Sequence, residues 1–283
     1  MKRMFLGLAI ATLMITVLTT QAVFAQNLKL PAASSTQVLT QDLGISKITL
    51  TYSRPNVKGR TIFGGLEPYG QVWRTGANSA TTLTFTGDVS IDGKAIPAGT
   101  YALFTIPNKN EWTIILNKGA KQWGAYEYNQ NDDVLRFTVK PQQTKNKVET
   151  FTISFPEVSA TEAKLNIAWE NTSVTFPIQV NQDAEIMASI DQAMQGEKKP
   201  YLAAAQYYFN NNKDLDQALA WADEAVKANP ELPYSYYWKA QIQLKKGDKE
   251  GAKATATLGK QAAEKAKSEE YIRLNNQVIE KAK

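Results

Sequence analysis

Two short segments of the chain concentrate the side chains that can bind a ligand. Residues 52–60 (YSRPNVKGR) and 72–78 (VWRTGAN) bring arginine, lysine, aromatic and amide groups together around turn-forming Pro and Gly. A planar guanidinium suits a carboxylate or phosphate, an amide both donates and accepts hydrogen bonds, and tryptophan offers an apolar platform. This chemistry favours an anionic or sugar-like ligand, and the candidate ligand-binding residues are Tyr52, Arg54, Lys58, Arg60, Trp73, Arg74 and Asn78.

The same residues have a purely structural interpretation. The residue before a proline avoids the helical region, so Arg54-Pro55 is expected to be extended, and the glycines that follow permit tight turns. Residues 54–78 are therefore predicted to form a long shaped loop over one end of a β domain. Such a loop needs internal hydrogen bonds, and its arginines can supply them to strand carbonyl groups or to Asp132 and Asp133.

Carboxylate chemistry is a third interpretation. A glycosidase uses two facing carboxyl groups, and Glu67, Glu127, Asp132 and Asp133 are candidates for such a pair, although acidic residues are also ordinary in turns. The chain contains no His and no Cys, which excludes Ser-His-Asp and Cys-His nucleophilic systems and most zinc and copper sites. We predict no catalytic residue, metal ligand or cofactor.

A second aromatic group lies further along the chain. It consists of Trp112, Trp123, Tyr126 and Tyr128. These rings can stack on a sugar, but aromatic residues at the ends of strands more often pack in the core.

The pattern of apolar and polar residues has two different periods along the chain, and these predict the strands and helices that position the candidate residues. From about 36 to 180, apolar and polar residues alternate in a series of short segments separated by turns such as Asp92-Gly93. This pattern predicts an antiparallel β-sandwich or barrel, and we assign a β-sandwich to residues 26–180. The predicted strands are 47–52, 82–85, 89–91, 94–96, 100–106, 112–116, 134–139, 149–155, 164–169 and 173–180.

The period changes to that of helices at residue 181. Asp214, Ala218, Ala222 and Ala225 recur 34 residues later as Asp248, Ala252, Ala256 and Gly259. This spacing predicts a short array of tetratricopeptide-like helical hairpins over 181–283, with a last helix that Ser268 caps. Aromatic residues on the first helix of each hairpin can line a peptide groove or seal the helices together.

Several blocks of residues 52–113 occur together in register: YSRP, KGR, IFG, VWRTGAN, AGTY and WT. In these blocks the chain resembles the domain of unknown function 2911 (DUF2911), which is common in exported proteins of Bacteroidota. The resemblance covers roughly residues 30–180. It implies an exported protein and brings no established substrate or mechanism.

The first 25 residues are predicted to be a cleaved signal peptide. Lys2 and Arg3 precede an apolar run, and Val23-Phe24-Ala25 places small residues before a cut ahead of Gln26. Because no Cys follows the cut, a lipid anchor is excluded, and no later segment is apolar enough to span a membrane. The expected location is periplasmic or secreted.

The net charge of +5 is too small, and its excess too local, for a nucleic-acid-binding protein. The sequence favours an exported, non-enzymatic binding or interaction protein of the cell envelope. The alternatives are a hydrolase that acts on glycan or cell-wall material through carboxylates, and a purely structural envelope component. A protein partner on the helical array is also possible in this interpretation.

Overall fold

The computed structural model describes residues 30–283, so the predicted signal peptide lies outside the described residues. These residues divide into two compact units between Val180 and Asn181. The first unit contains ten strands: β1 (Ser35–Leu43), β2 (Ser46–Arg54), β3 (Thr81–Phe85), β4 (Val89–Ile91), β5 (Lys94–Ile96), β6 (Gly99–Ile106), β7 (Trp112–Asn117), β8 (Asp133–Val139), β9 (Gln142–Val158) and β10 (Glu162–Gln179).

The strands form two antiparallel sheets. One has six strands in the order β1-β2-β3-β6-β7-β8, and the other has four in the order β5-β4-β10-β9. Buried residues of both sheets, including Leu50 and Leu83 of the first and Phe151 and Ile167 of the second, share one core. This arrangement confirms the predicted fold class, a β unit of antiparallel sheets followed by helices.

Two strand predictions were wrong in detail. Residues 35–43 were not among the predicted strands, yet they pair with β2 along their whole length, from Ser35 opposite Arg54 to Leu43 opposite Ser46. The predicted strands at 164–169 and 173–180 are one strand, β10. Irregular register near Glu170, whose φ is 56°, interrupts its alternation, and the interruption makes one bent strand look like two.

Five aromatic rings pack together in the shared core, and two of them come from the 54–78 loop. Trp73 stacks on Trp169 with ring centroids 5.9 Å apart and planes 15° apart. Phe63 and Phe151 meet these rings edge-on, and Trp112 packs against Phe63 at 4.7 Å. Burying a large apolar side chain stabilises a fold by about 1.5–3 kcal/mol, so the loop that supplies Phe63 and Trp73 is part of the core.

The second unit contains six helices: α1 (Asp183–Ala193), α2 (Tyr201–Asn210), α3 (Leu215–Ala228), α4 (Pro233–Lys245), α5 (Lys249–Lys265) and α6 (Glu269–Lys281). Asp214 and Asp248 cap α3 and α5 through their side chains. Ser268 occupies the N-cap position of α6 but makes no side-chain capping bond, so that part of the prediction was wrong.

Small residues let the helices pack closely. Ala218, Ala222, Ala252 and Ala256 are completely buried. The aromatic residues of α2 and α4 contact other rings of the same unit: Tyr208 meets Trp221 at 4.8 Å, and Phe209 meets Trp238 at 5.7 Å. They therefore help to seal the helices together. Within residues 30–283, no helix combines the length and apolarity that a membrane crossing needs.

Candidate functional site

The start of the 54–78 loop is held against β9. The Phe151 N–H donates to the Pro55 carbonyl at 2.8 Å, and the Val57 N–H donates to the Glu149 carbonyl at 2.8 Å. The Lys58 N–H donates to the Glu149 carboxylate, also at 2.8 Å. Proline has no N–H to contribute, so the chain pairs with β9 through the Pro55 carbonyl and through the N–H groups of Val57 and Lys58.

The end of the loop is held against β6. Trp73 and Thr105 exchange backbone hydrogen bonds of 2.7 and 2.9 Å, and the Trp73 indole N–H donates to the Gly76 carbonyl. The Thr81 hydroxyl donates to the Thr75 carbonyl at 2.6 Å. Because both ends are fixed by hydrogen bonds to strands, any cavity under the loop is already formed in the folded protein.

That cavity, which we call the basic cavity, measures about 280 Å³. Lys58, Arg60 and Arg74 line it, and its lining includes a single carboxylate, that of Glu67. Asn56 and Trp169 complete its polar and apolar walls. The volume lies just below the range of about 300–1,000 Å³ that is usual for drug-sized ligands, so it suits a small ligand.

Two of the four basic residues at the loop have protein partners. Arg54 donates from Nε to the Phe151 carbonyl at 3.0 Å and from Nη2 to the Thr152 hydroxyl at 2.9 Å, and it does not line the cavity. Arg60 donates to the carbonyls of Val57 and Asn56. Asp132 and Asp133, the predicted acidic anchors, are not their partners.

Arg74 differs from the other arginines of the loop. Its Nε is fully buried, and its guanidinium donates no hydrogen bond to any of residues 30–283. An unpaired buried donor costs about 1–3 kcal/mol, and the cost is higher when the group is charged. Arg74 is therefore the strongest indication in the cavity of a missing anionic partner.

Glu67 has an unusual protonation equilibrium. Burial raises its pKa to about 7, although the positive charges of Arg74 and Arg60 oppose the increase. Neither a hydrogen bond nor an ion pair engages its carboxyl group within the described part of the chain. Near neutral pH this carboxyl is thus partly uncharged, which leaves the three cations of the cavity without full compensation.

A second cavity of about 480 Å³, which we call the tryptophan groove, lies beside residues 78–80. Thr36, Thr51, Ser53, Asn78, Ser79 and Trp123 line it. Ala33 lines both cavities, so the two are neighbours. The Asn78 amide donates to the Ser34 carbonyl and to the Ser53 hydroxyl, each at 3.3 Å.

The seven predicted binding residues therefore do not form a single site. Lys58, Arg60 and Arg74 line the basic cavity, whereas Tyr52 and Asn78 line the tryptophan groove. Tyr52 and Trp73 are only 2 % and 4 % exposed, and most of their surface packs in the core. Arg54 and Trp73 line neither cavity.

The other candidates also separate. Asp133 accepts from Asn117, Tyr128 and Arg136, and neither it nor Asp132 nor Glu127 lines the basic cavity beside Glu67. In the second aromatic group, Trp112 is buried and Tyr128 packs on Phe104 at 5.2 Å. Trp123 and Tyr126 are 61 % and 83 % exposed.

Three of the seven non-glycine residues that have a positive φ among residues 30–283 lie in the 54–78 loop. Lys58, Thr75 and Asn78 have φ values of 49°, 56° and 60°. A buried β-branched residue in this region is a genuine outlier, and strained residues cluster at functional sites. The Thr75 hydroxyl, 3.1 Å from that of Thr105, helps to hold this conformation.

Sequence reasoning missed the supporting residues of the site. Glu149 and Glu170 hold the loop by accepting from the Lys58 and Ile62 N–H groups, and they lie about a hundred positions along the chain from these partners. Glu67 was considered only as one of a glycosidase pair. No local pattern marks these residues, because their roles depend on how β9 and β10 fold back.

One comparison with known proteins gives a match. A family model described as a protein of unknown function (DUF2911) matches residues 34–178. These residues include both cavities apart from Ala32 and Ala33. No curated protein matches the chain, and no solved structure does.

Proposed function

Since the chain belongs to the DUF2911 family, whose function is unknown, we propose from its geometry that the β unit binds a small anion in the basic cavity. The observation that carries the proposal is the unpaired guanidinium of Arg74 beside Lys58 and Arg60. A carboxylate or phosphate accepts the forked hydrogen bonds that a guanidinium offers.

The roles of the three cations differ. Arg74 supplies a half-buried charge and the directional donors. Arg60 is already held by two backbone carbonyls, which fixes its position and leaves its remaining N–H groups for a ligand. Lys58 is exposed, and its flexible ammonium group contributes long-range attraction that salt will screen.

The small number of carboxyl groups in the basic cavity favours binding over the glycosidase alternative. A glycosidase needs two carboxyl groups on opposite sides of the scissile bond. Among the described residues that line the basic cavity, Glu67 alone carries a carboxyl group. Asp133, which was a candidate partner, is bound to three other side chains.

The proposed setting is the cell envelope, with the protein periplasmic or secreted. The basis is the signal-peptide pattern of residues 1–25 and the absence of Cys for a lipid anchor. The tetratricopeptide-like interpretation of residues 181–283 belongs to the same proposal. Its support is that the repeated Asp214 and Asp248 both cap helices, and that the repeated alanines are buried.

The experiment is calorimetric titration of the full chain with inorganic phosphate, citrate, glucose 6-phosphate and glucuronate. We expect at least one of these to bind and to raise the melting temperature. Arg74→Ala and Arg60→Ala should each weaken binding by about 1–3 kcal/mol, and Arg74→Lys should recover only part of the loss.

The matched control is Arg273→Lys, on an exposed arginine of the helical unit. It should bind every anion as the wild-type protein does. The proposal would be overturned if none of the four anions bound at low salt, or if Arg74→Ala bound them with unchanged affinity.

A further inference from the structure

The tryptophan groove is chemically unlike the basic cavity. Trp123 is 61 % exposed and lines the groove. No charged side chain lines the groove among the described residues. The hydroxyls of Thr51 and Ser79, which do line it, have no hydrogen-bond partner within residues 30–283.

The groove opens on the outer face of the six-stranded sheet. Leu50 and Leu83 point into the core, so their neighbours Thr49, Thr51, Thr82 and Thr84 point outward. Thr40, Thr49, Thr84 and Thr100 lie opposite one another across four strands. Residues in such a row share one face, which gives the sheet an uncharged surface of hydroxyl and methyl groups beside the groove.

Two ionic pairs of the described residues lie on this face of the sheet. Arg136 of β8, which lies opposite Ile115, pairs with Asp133. Asp42 and Lys47 pair with each other at 2.9 Å, close to the turn between β1 and β2. A charged ligand in the groove would consequently lose its hydration without gaining an ionic partner. A neutral ligand with many hydroxyl groups would meet matching donors and acceptors.

We propose that the tryptophan groove binds a neutral saccharide. The apolar face of a sugar ring stacks on the exposed Trp123 indole, and its hydroxyl groups bond to Thr51 and Ser79. The groove volume of about 480 Å³ is within the usual range of about 300–1,000 Å³ for small-molecule sites. Asn78, held by its bonds to Ser34 and Ser53, stiffens the rim on which the sugar rests.

This proposal is independent of anion binding. Its ligand carries no charge, and none of its binding residues lines the basic cavity. Loss of anion binding in Arg74→Ala with saccharide binding intact would support two separate sites. Failure of one proposal therefore leaves the other testable.

The experiment uses the full chain and neutral hexasaccharides of glucose, N-acetylglucosamine, xylose and mannose. Calorimetry should detect binding of at least one, and the same sugar should protect tryptophan fluorescence from acrylamide quenching. Trp123→Ala should weaken the affinity about tenfold or more, because the stacking surface is lost. Trp123→Phe keeps a ring and should recover part of it. Thr51→Val should cost about threefold to tenfold through one lost hydrogen bond.

The matched control is Tyr126→Ala. Tyr126 is 83 % exposed and lies three residues from Trp123, but it does not line the groove. Binding should be unchanged in this variant. Melting should be unchanged in the Trp123 and Tyr126 variants, since these two side chains are mostly exposed. The proposal would be overturned if no neutral hexasaccharide bound, or if Trp123→Ala bound as tightly as Tyr126→Ala.

Discussion

Gly124 and Arg74 lie so close together that a side chain on the first would displace the second. A Cβ atom added to Gly124 would lie 2.9 Å from Nη1 of Arg74 and 2.8 Å from the Tyr126 ring. Gly124 also has a φ of 70°, in the left-handed region that glycine adopts without strain. The glycine thus sets the position of the guanidinium on which the proposed anion site depends.

Gly124→Ala is expected to lower both stability and anion affinity. Its left-handed backbone alone costs about 1 kcal/mol, and the displaced guanidinium should weaken binding of the anion found by calorimetry. Gly93→Ala is the control, because Gly93 has a φ of 72° but no atom near its added Cβ. Chemical denaturation and titration of both variants test this. Equal anion affinity in the two would contradict the predicted role of Gly124.

Arg54→Ala should destabilise the β unit without changing anion affinity. Its two hydrogen bonds to β9 lie away from the basic cavity. Their loss should cost about 1–3 kcal/mol in the free energy of unfolding, measured by urea denaturation. Arg273→Ala, on an exposed arginine, should cost little. A stable Arg54→Ala variant that no longer binds anions would show that Arg54 is a binding residue after all.

Glu67 should make the protein less stable as the pH rises. Because burial raises its pKa to about 7 from 4.5, the folded state holds a proton that the unfolded state releases between these values. Its stabilising contribution is complete below about pH 4.5 and is lost as the pH rises through 7. Glu67→Gln mimics the neutral form at every pH.

The measurement is the free energy of unfolding of both proteins at pH 5 and pH 8. Glu67→Gln should match the wild type at pH 5 and exceed it by about 1–2 kcal/mol at pH 8, after allowance for solvent screening. Glu127→Gln, on an exposed glutamate outside the cavity, should show no such divergence. The same difference at both pH values would rule out titration of Glu67 as its cause.

The sequence predicted most of the strands and helices, but it did not predict which distant residues bond to one another. The alternation of apolar and polar residues revealed most strands, because a strand with one buried face buries every second side chain. β1 escaped detection since its edge position leaves Val38 59 % exposed, which blurs the alternation. The loop was recognised from its arginines and glycines. Which arginine is free could not be predicted, because Arg54 is satisfied by Phe151 and Thr152, almost a hundred residues away.

Two equivalent capping residues allow the helical unit to be tested. Asp214 accepts from the N–H groups of Asp216 and Gln217, and Asp248 accepts from that of Gly251. Asp214→Ala and Asp248→Ala should each cost about 1 kcal/mol. Ser268→Ala removes a residue at the same helix position that makes no capping bond, and it should be nearly neutral. Thermal melts of the three variants check this, and a neutral Asp214→Ala would contradict it.

The two units are expected to fold separately. Residues 26–180 contain both sheets and their shared core, and residues 181–283 contain all six described helices. The first fragment should give a β-type circular dichroism spectrum with a cooperative melt, and the second a helical one. An unfolded 26–180 fragment beside a folded full chain would mean that the helices are needed to complete the core.

The missing histidines have a consequence for measurement. Histidine and cysteine are the side chains that ordinarily titrate closest to neutral pH, and the chain has neither. The protein is therefore a weak buffer near pH 7. An anion that enters beside Glu67 and the three cations would draw a proton onto that carboxyl group. Calorimetric titrations in buffers of different ionisation enthalpy would measure the number of protons taken up on binding. Few other groups of the protein change protonation near pH 7, so this proton uptake would reveal an anionic ligand before its identity is known.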